Sequence, residues 1–343
     1  MQKASLFDTL PDRKVRCRLC PNRCTIKEGE AGICSVRVNK EGELYSTTYG
    51  LVAAEAIDPI EKKPLFHFLP GTLCYSLGGI GCNFHCAHCQ NWHISRASPG
   101  SMHLTGITPE EGVSRALGNG CHSIAWTYNE PTIWHEYTKE MGTLAKKEGL
   151  GTVYVTNGYI SEEGLNEIIP ALDAFRVDIK AMSDEFYKKT CGGRLQPVLD
   201  STARAKEAGL HVEVVNLVIP GLNDSQEESD ALIRWVLDNT GPATPVHFTR
   251  FHPDYRMTDR DATPVSTLER IYRRARELGL RFPYLGNVYN HPYEHTYCPR
   301  CGALLIERKG YTIMIRDLEE HRCRACGETI EIVTDVRNFH TRA

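Results

Sequence analysis

GCNFHCAHCQN, residues 81–91, sets Cys82, Cys86 and Cys89 in one short loop with the spacing C-x3-C-x2-C. Three thiolates this close in sequence can wrap a single metal centre, but a structural zinc site normally closes with four ligands. His85, His88 and His93 stand near enough in sequence to complete a zinc site. The competing reading is a cubane iron–sulfur cluster held by three cysteines, with one iron left open. The loop follows a strand-like run, LCYSLGG at 73–79. A cysteine loop at a strand end in an α/β protein with other polar strand ends favours the open cluster.

The same beat continues outward from the loop. Strand-like runs recur as SIAWTY (123–128), TVYVTN (152–157), AFRVDIK (174–180), VEVVNLVIP (212–220) and VHFTRF (246–251). Helical patterns follow most of them. Thr108, Pro109 and Glu111 read as a capping box with proline at the first helical position. IWHEYTKEMGTLAKKEG stops at Gly149, and DALIRWVLDN and TLERIYRRARELG are amphipathic. Strand, helix, strand at this spacing implies right-handed crossovers and a parallel sheet, either doubly wound or an incomplete barrel.

Polar residues at the strand ends favour the barrel, where chemistry gathers at the C-terminal rim. Tyr128-Asn129-Glu130-Pro131, Thr156-Asn157-Gly158, Asp178 with Lys180, Asn216, and Arg250 with His252 close successive strands. No strand start shows a comparable set. The expected fold is therefore a partial (β/α)6 TIM-like barrel. Strand periodicity puts Asp178 and Lys180 on one face and Val177 and Ile179 on the other. A purely structural Asp–Lys salt bridge is the alternative role for that pair.

The totals fit such a chain. It has 343 residues, 41% apolar and 24% charged, enough for a sizeable core. A net charge of −3 argues against non-specific nucleic-acid binding, which needs a basic face. No run of eighteen apolar residues suggests a membrane span, and the first residues have no apolar signal core, so a cytoplasmic protein is expected. Fourteen cysteines in a reducing compartment point to metal ligands before disulfides. Cys74, Cys121 and Cys191 stand alone and read as small buried thiols.

The other cysteines divide the chain into a cysteine-rich module at 1–50, the α/β core at 51–290 and a second cysteine module at 291–343. Cys298-x2-Cys301-Gly and Cys323-x2-Cys326-Gly are two knuckles of a zinc ribbon or rubredoxin-like site, with zinc preferred. Cys17, Cys20, Cys24 and Cys34 offer four donors and a closed site, for zinc or for a second iron–sulfur cluster, with a structural metal slightly favoured.

CNFHCAHC resembles the signature loop of the radical S-adenosylmethionine (SAM) superfamily. The resemblance implies a 4Fe-4S cluster on Cys82, Cys86 and Cys89, SAM on its open iron, and a 5′-deoxyadenosyl radical that abstracts hydrogen. It also implies a low-potential electron donor such as flavodoxin or ferredoxin. His88 falls where the family packs an aromatic residue near the adenine. Asn129-Glu130-Pro131 resembles the GGE-P motif without its glycines, so Glu130 carries the likeness. Asp178-Ile179-Lys180 resembles the D-x-K motif of the pyruvate formate-lyase activating enzymes. Thr156-Asn157 matches part of their D-T-N-G, with Val155 where the aspartate would stand. His252 resembles a late-strand histidine that approaches SAM, and Asn216 joins the same expected cofactor shell.

Strings across the chain are similar to those of the AmmeMemoRadiSam-system radical SAM enzymes. They include VRCRLCPNRCTIKEGEAGICSVR, DPIEKKPLFHFLPG, CQNWHIS, WTYNEPT, VIPGLND and TYCPRCG. That resemblance implies a link to Memo and AMMECR proteins. The implied substrate is a glycine of a partner enzyme or another protein site, the alternatives being RNA or a small metabolite. A different class, a non-catalytic zinc-ribbon binding protein, would place zinc in all three cysteine groups.

Overall fold

The structure is a computed structural model describing residues 1–336. Its centre is one eight-stranded sheet. The strands are β1 (Ala54–Pro59), β2 (Leu73–Gly78), β3 (Ser123–Trp126), β4 (Gly151–Thr156), β5 (Ala174–Asp178), β6 (His211–Val218), β7 (Val246–Arg250) and β8 (Pro283–Gly286). They lie side by side in chain order. Strands β2 to β8 are parallel, and β1 pairs antiparallel with β2 at one edge. A doubly wound sheet reverses its strand order at a switch point. This one never reverses, so its right-handed crossovers keep every helix on one face and make an open barrel.

The six expected strands are present, with a seventh parallel strand, β8, that the sequence reading did not assign. Only four residues long, it carries too little alternation to register. Its neighbour is the helix Val265–Glu277, placed by the TLERIYRRARELG pattern and followed by Gly279 at φ +105°. Thr108 caps the Pro109–Gly118 helix as expected, its Oγ1 accepting from the Glu111 amide at 3.1 Å. Val177 and Ile179 are fully buried in the core, and Asp178 and Lys180 face the other way, as strand periodicity requires.

The expectation of featureless strand starts needs correction. Glu213, near the start of β6, is fully buried. Its carboxylate accepts from His247 at 2.7 Å, His211 at 2.9 Å, the His67 amide at 2.7 Å and the Phe66 amide at 3.0 Å. Arg308 reaches from the C-terminal module to the Phe66 carbonyl at 2.9 Å. This network plugs the lower end of the barrel. The Glu213 carboxylate is partnered internally, while His247 Nδ1 and Arg308 Nε are buried without a partner; the network packs the barrel end. They escaped the sequence reading because the partners come from four distant segments.

The flanking modules dock on opposite ends. At the N-terminal side, Leu19 accepts from the Ser161 amide at 2.9 Å and Arg23 pairs with Glu163 at 2.8 Å. At the C-terminal side, Phe66, Phe282 and Tyr284 pack with Leu305, Ile306 and Ile330 in one apolar cluster. The last residues of the expected 291–343 module, from 337, lie outside the described residues. No described helix is long and apolar enough to cross a membrane.

His67 makes the lower plug pH-sensitive. Its Nε2 lies 2.6 Å from Tyr284 Oη and its Nδ1 2.9 Å from the Glu331 carbonyl. A carbonyl only accepts, so Nδ1 carries the proton and Nε2 receives the Tyr284 hydroxyl of a neutral ring. Burial holds its pKa down to about 4, against about 6.5 in the unfolded chain. Between those values the unfolded chain binds the extra proton. Stability is therefore full above about pH 6.5 and falls as pH drops toward 4. Chemical denaturation should show about 2 kcal/mol less stability at pH 5 than at pH 7 from this group. His67→Gln, which cannot titrate, should show a correspondingly shallower pH dependence.

Candidate active site

The 81–91 loop leaves β2 at the C-terminal rim of the barrel. Its entry is constrained by Gly81, which has φ +82° and packs so tightly that an added Cβ would lie 2.3 Å from the Cys34 carbonyl oxygen. Only glycine fits there. The far side of the loop is pinned to residues 190 and 191. The His85 amide donates to the Cys191 carbonyl at 2.7 Å and the Ala87 amide to the Thr190 carbonyl at 2.9 Å. Backbone held from two sides fixes where the three thiols point.

They point into a cavity of about 440 Å³ inside the rim. Cys82, Cys86, Cys89, His88, Asn129, Glu130, Thr156, Asn157, Asp178 and Lys180 all line it. Ten of the expected site residues, from four strand ends, thus share one chamber. Asn216 does not line it: its amide donates to the Ile179 carbonyl at 2.9 Å and so braces the backbone beside Lys180. His252 is exposed and reaches the chamber only through Gln90, whose amide nitrogen lies 3.1 Å from its ring.

Glu130 ties two strand ends together. Buried to 1% exposure, it accepts from the Thr156 hydroxyl at 2.7 Å, the Asn157 amide at 2.8 Å and the Thr132 amide at 2.9 Å. Burial pushes its pKa up, and the three donors pull against that. Tyr128, two residues before it, holds φ +71°, a conformation that favours glycine. Asn157 also sends its side-chain amide to Asn83 at 2.9 Å and toward the Cys82 sulfur at 3.7 Å, while the Phe84 amide approaches the same sulfur at 3.4 Å. N–H groups aimed at a thiolate are a usual means of tuning a metal–sulfur centre.

Asp178 and Lys180 do form the salt bridge, at 3.2 Å, but with a third member that the sequence reading missed. Arg176 binds the other carboxylate oxygen of Asp178. Burial alone would raise the Asp178 pKa; Arg176 and Lys180 hold it below the usual range. The signal was present in AFRVDIK, because Arg176 shares the strand face of Asp178. Arg176 is 7% exposed, lines the chamber, and leaves its Nε without a partner.

Across the chamber lies a second group that motif reading left unassigned. Lys62 and Lys63 both bind Asp58, Lys62 at 2.7 Å, and Tyr128 donates to the same carboxylate at 2.7 Å. Lys63 is 2% exposed, and its ammonium sits 4.7 Å from the Tyr128 ring centroid. Cys191 is likewise more than an isolated buried thiol. Its sulfur lies within 4.8 Å of ligand atoms of Cys86 and His88. Cys191 beside it lowers the pKa of the buried Cys86 thiol. His88 is buried with an unpartnered Nδ1, and burial lowers its pKa to about 3, so its ring is neutral.

The C-terminal cysteines form a separate centre. Cys298 and Cys326 sulfurs stand 3.6 Å apart, Cys301 and Cys323 sulfurs 3.7 Å, and all four fall within 4.8 Å. Four thiols at that spacing suit one tetrahedral ion.

Comparison with known proteins agrees with the chamber. The family model of the radical SAM superfamily matches residues 77–233. An uncharacterised protein of Methanocaldococcus jannaschii is 48% identical, over 97% of this chain and 100% of its own length. The pyruvate formate-lyase-activating enzyme of Clostridium pasteurianum is 23% identical over 58% of this chain and 88% of its own. Among solved structures, Streptococcus suis SuiB bound to S-adenosylmethionine aligns with a TM-score of 0.51 at 11% identity, over 64% of this chain and 52% of that one.

The tight approach at Gly81 yields a direct test. Gly81→Ala places a Cβ inside the contact distance of a backbone oxygen at positive φ. We expect a loss of about 3 kcal/mol in thermal or chemical unfolding, and a markedly lower iron content after anaerobic reconstitution.

Proposed function

This chain belongs to the radical SAM superfamily, and from that premise we propose that Cys82, Cys86 and Cys89 hold a 4Fe-4S cluster with S-adenosyl-L-methionine on its open iron. The observation that carries the reading is the convergence of three cysteines and four polar strand ends on one chamber. The residues suit the group: three thiols on one loop, N–H donors to Cys82, and both carboxylate and cationic side chains within the cavity. When bound, the cofactor pair supplies hydrogen-atom abstraction by a carbon radical. The chain's own work is to bind, orient and exclude water. Lys180 offers an ammonium to the cofactor carboxylate, and Asp178 and Glu130 offer carboxylates to its amino and ribose groups. Neutral, buried His88 offers an apolar ring face. The barrel walls shield the reacting carbon from solvent.

We further read the protein as a cytoplasmic member of the AmmeMemoRadiSam group, supported by the strings quoted above, with functional partners among Memo and AMMECR proteins and a flavodoxin or ferredoxin as reductant. Zinc in the C-terminal quartet completes the assignment and is supported by the sulfur spacing. For the substrate, similarity to pyruvate formate-lyase-activating enzymes supports a glycine or another site on a partner protein. A second reading has its own observation. Lys62 and Lys63 share one carboxylate and Arg176 and Lys180 share another, so the chamber wall carries cations in excess. That favours a small metabolite bearing a carboxylate or phosphate.

Anaerobically reconstituted protein, reduced with dithionite and given SAM, should form 5′-deoxyadenosine and show a cluster signal that SAM perturbs in electron paramagnetic resonance (EPR). Neither appearing would sink the reading. Small carboxylates and phosphates should stimulate 5′-deoxyadenosine release in wild type, and Lys63→Met should lose about tenfold of that stimulation. Stimulation by glycine-containing partner proteins alone would select the protein substrate.

A further inference from the structure

The N-terminal cysteines remain outside this function. Cys17, Cys20, Cys24 and Cys34 line one small cavity, which they share with Arg37, Asn83 and apolar side chains. The molecule contains its own standard for what such a quartet holds. One tetrahedral zinc with Zn–S bonds of about 2.3 Å sets its sulfurs about 3.8 Å apart, and two sulfurs on one zinc cannot exceed about 4.6 Å even in line. The C-terminal quartet meets that standard. Among the described residues, the groups of three or more ligand atoms within 4.8 Å of one another are that quartet and Cys86 with His88 and Cys191. No three of the N-terminal sulfurs come that close, although all four face one cavity. Cys82, Cys86 and Cys89 likewise form no such group together. A cubane bears one thiolate on each corner iron, so its ligands stand farther apart than those of a single ion.

A second observation points to a ligand in that cavity. Arg37 is 1% exposed and binds Glu136 through Nη2, while its Nη1 is buried without a partner. The guanidinium lies close enough to Cys17 and Cys34 to interact with both electrostatically. A buried cation with a spare N–H beside four thiolates suits a group of net negative charge.

The cavity also backs onto the 82–89 loop. The Cys34 carbonyl is the atom that packs against Gly81. Asn22, between Cys20 and Cys24, donates to the Asn83 carbonyl at 2.9 Å. Cys82 is therefore flanked on both sides by residues in contact with the N-terminal quartet.

We propose that Cys17, Cys20, Cys24 and Cys34 hold a second 4Fe-4S cluster, directly behind the loop of the first. Four thiolates leave it no open iron, so its chemistry is one-electron transfer. It takes one electron from a low-potential donor and is reoxidised by passing that electron to the 82–89 loop's cluster. Only this relay rests on the proposed function; the site itself does not.

Metal analysis of the anaerobically reconstituted full chain tests it. Wild type should contain about eight irons and about one zinc. The variant with Cys82→Ala, Cys86→Ala and Cys89→Ala should keep about four irons, with an EPR signal indifferent to SAM. The variant with Cys17→Ser, Cys20→Ser, Cys24→Ser and Cys34→Ser should also keep about four, with a signal that SAM perturbs. If that second variant does not fold, the first still decides, because its remaining cluster is read directly. About four irons and two zincs in wild type, with no iron in the Cys82, Cys86, Cys89 variant, would overturn the proposal. Iron retained in that variant while wild type ignores SAM would instead uphold the second cluster and sink the SAM reading. Fully reduced wild type should show spin–spin broadening that both variants lack; its absence would overturn the relay.

Discussion

The right-handed crossover governs the rest of the molecule. A right-twisted strand followed by a helix returns to the sheet in one sense only. Repeated without a switch point, that rule lays β2 to β8 in chain order and turns every C-terminal strand end to one rim. Residues far apart in sequence, from Lys62 to Thr249, then share a chamber. No contact between them had to be encoded pairwise; each strand needed only polar residues at or just beyond its C-terminal end. The opposite rim receives the strand starts, and there the chain spends buried polar groups on closure, with Glu213 as the hub.

Charge is arranged differently at the two rims. At the lower rim Glu213 has several donors for one carboxylate, and burial keeps its histidine partner His247 low in pKa. There the carboxylate is satisfied, although His247 Nδ1 and Arg308 Nε are buried without a partner. In the chamber, Asp58 pairs with Lys62 and Lys63 and Asp178 with Arg176 and Lys180, while Glu130 is held by uncharged donors. A wall with cations to spare is stable only where solvent or a ligand supplies the missing negative charge. The buried Arg176 Nε, with no partner, makes that deficit local.

Much of this was legible in the sequence, for identifiable reasons. Six strands had enough alternation and length to be read, and their polar ends marked the rim. Strand periodicity points Asp178 and Lys180 into the chamber, and most of the other expected residues arrive on the loops that leave the same rim. The four-residue β8 was too short to read, and the lower plug depends on contacts between segments far apart in sequence. Lys62, Lys63 and Asp58 sit on the antiparallel edge strand and the turn after it, outside the repeating pattern. Asn216 and His252 were chosen by position along their strands, yet one turns to backbone carbonyls and the other stays outside, reaching the chamber through Gln90. Cys191 carries no spacing signal at all; only the fold brings it to Cys86.

Cysteine count alone distinguishes less than cysteine spacing in space. By count, the two groups of four look alike and the group of three looks incomplete. By geometry, the C-terminal four form a group within 4.8 Å, with sulfurs 3.6 and 3.7 Å from their neighbours, and the N-terminal four and the 82–89 three are not among the described groups that tight. The number of thiols then decides what each wide site does. Four thiols would cap every iron of a cubane and suit electron transfer, whereas three would leave one iron open to a cofactor. Of the two cavities, the one lined by the three cysteines is the one lined by Asp178, Lys180 and Glu130. Gly81 is the hinge of the arrangement: with no side chain of its own, it lets the carbonyl of a ligand in the closed site press against the loop of the open one.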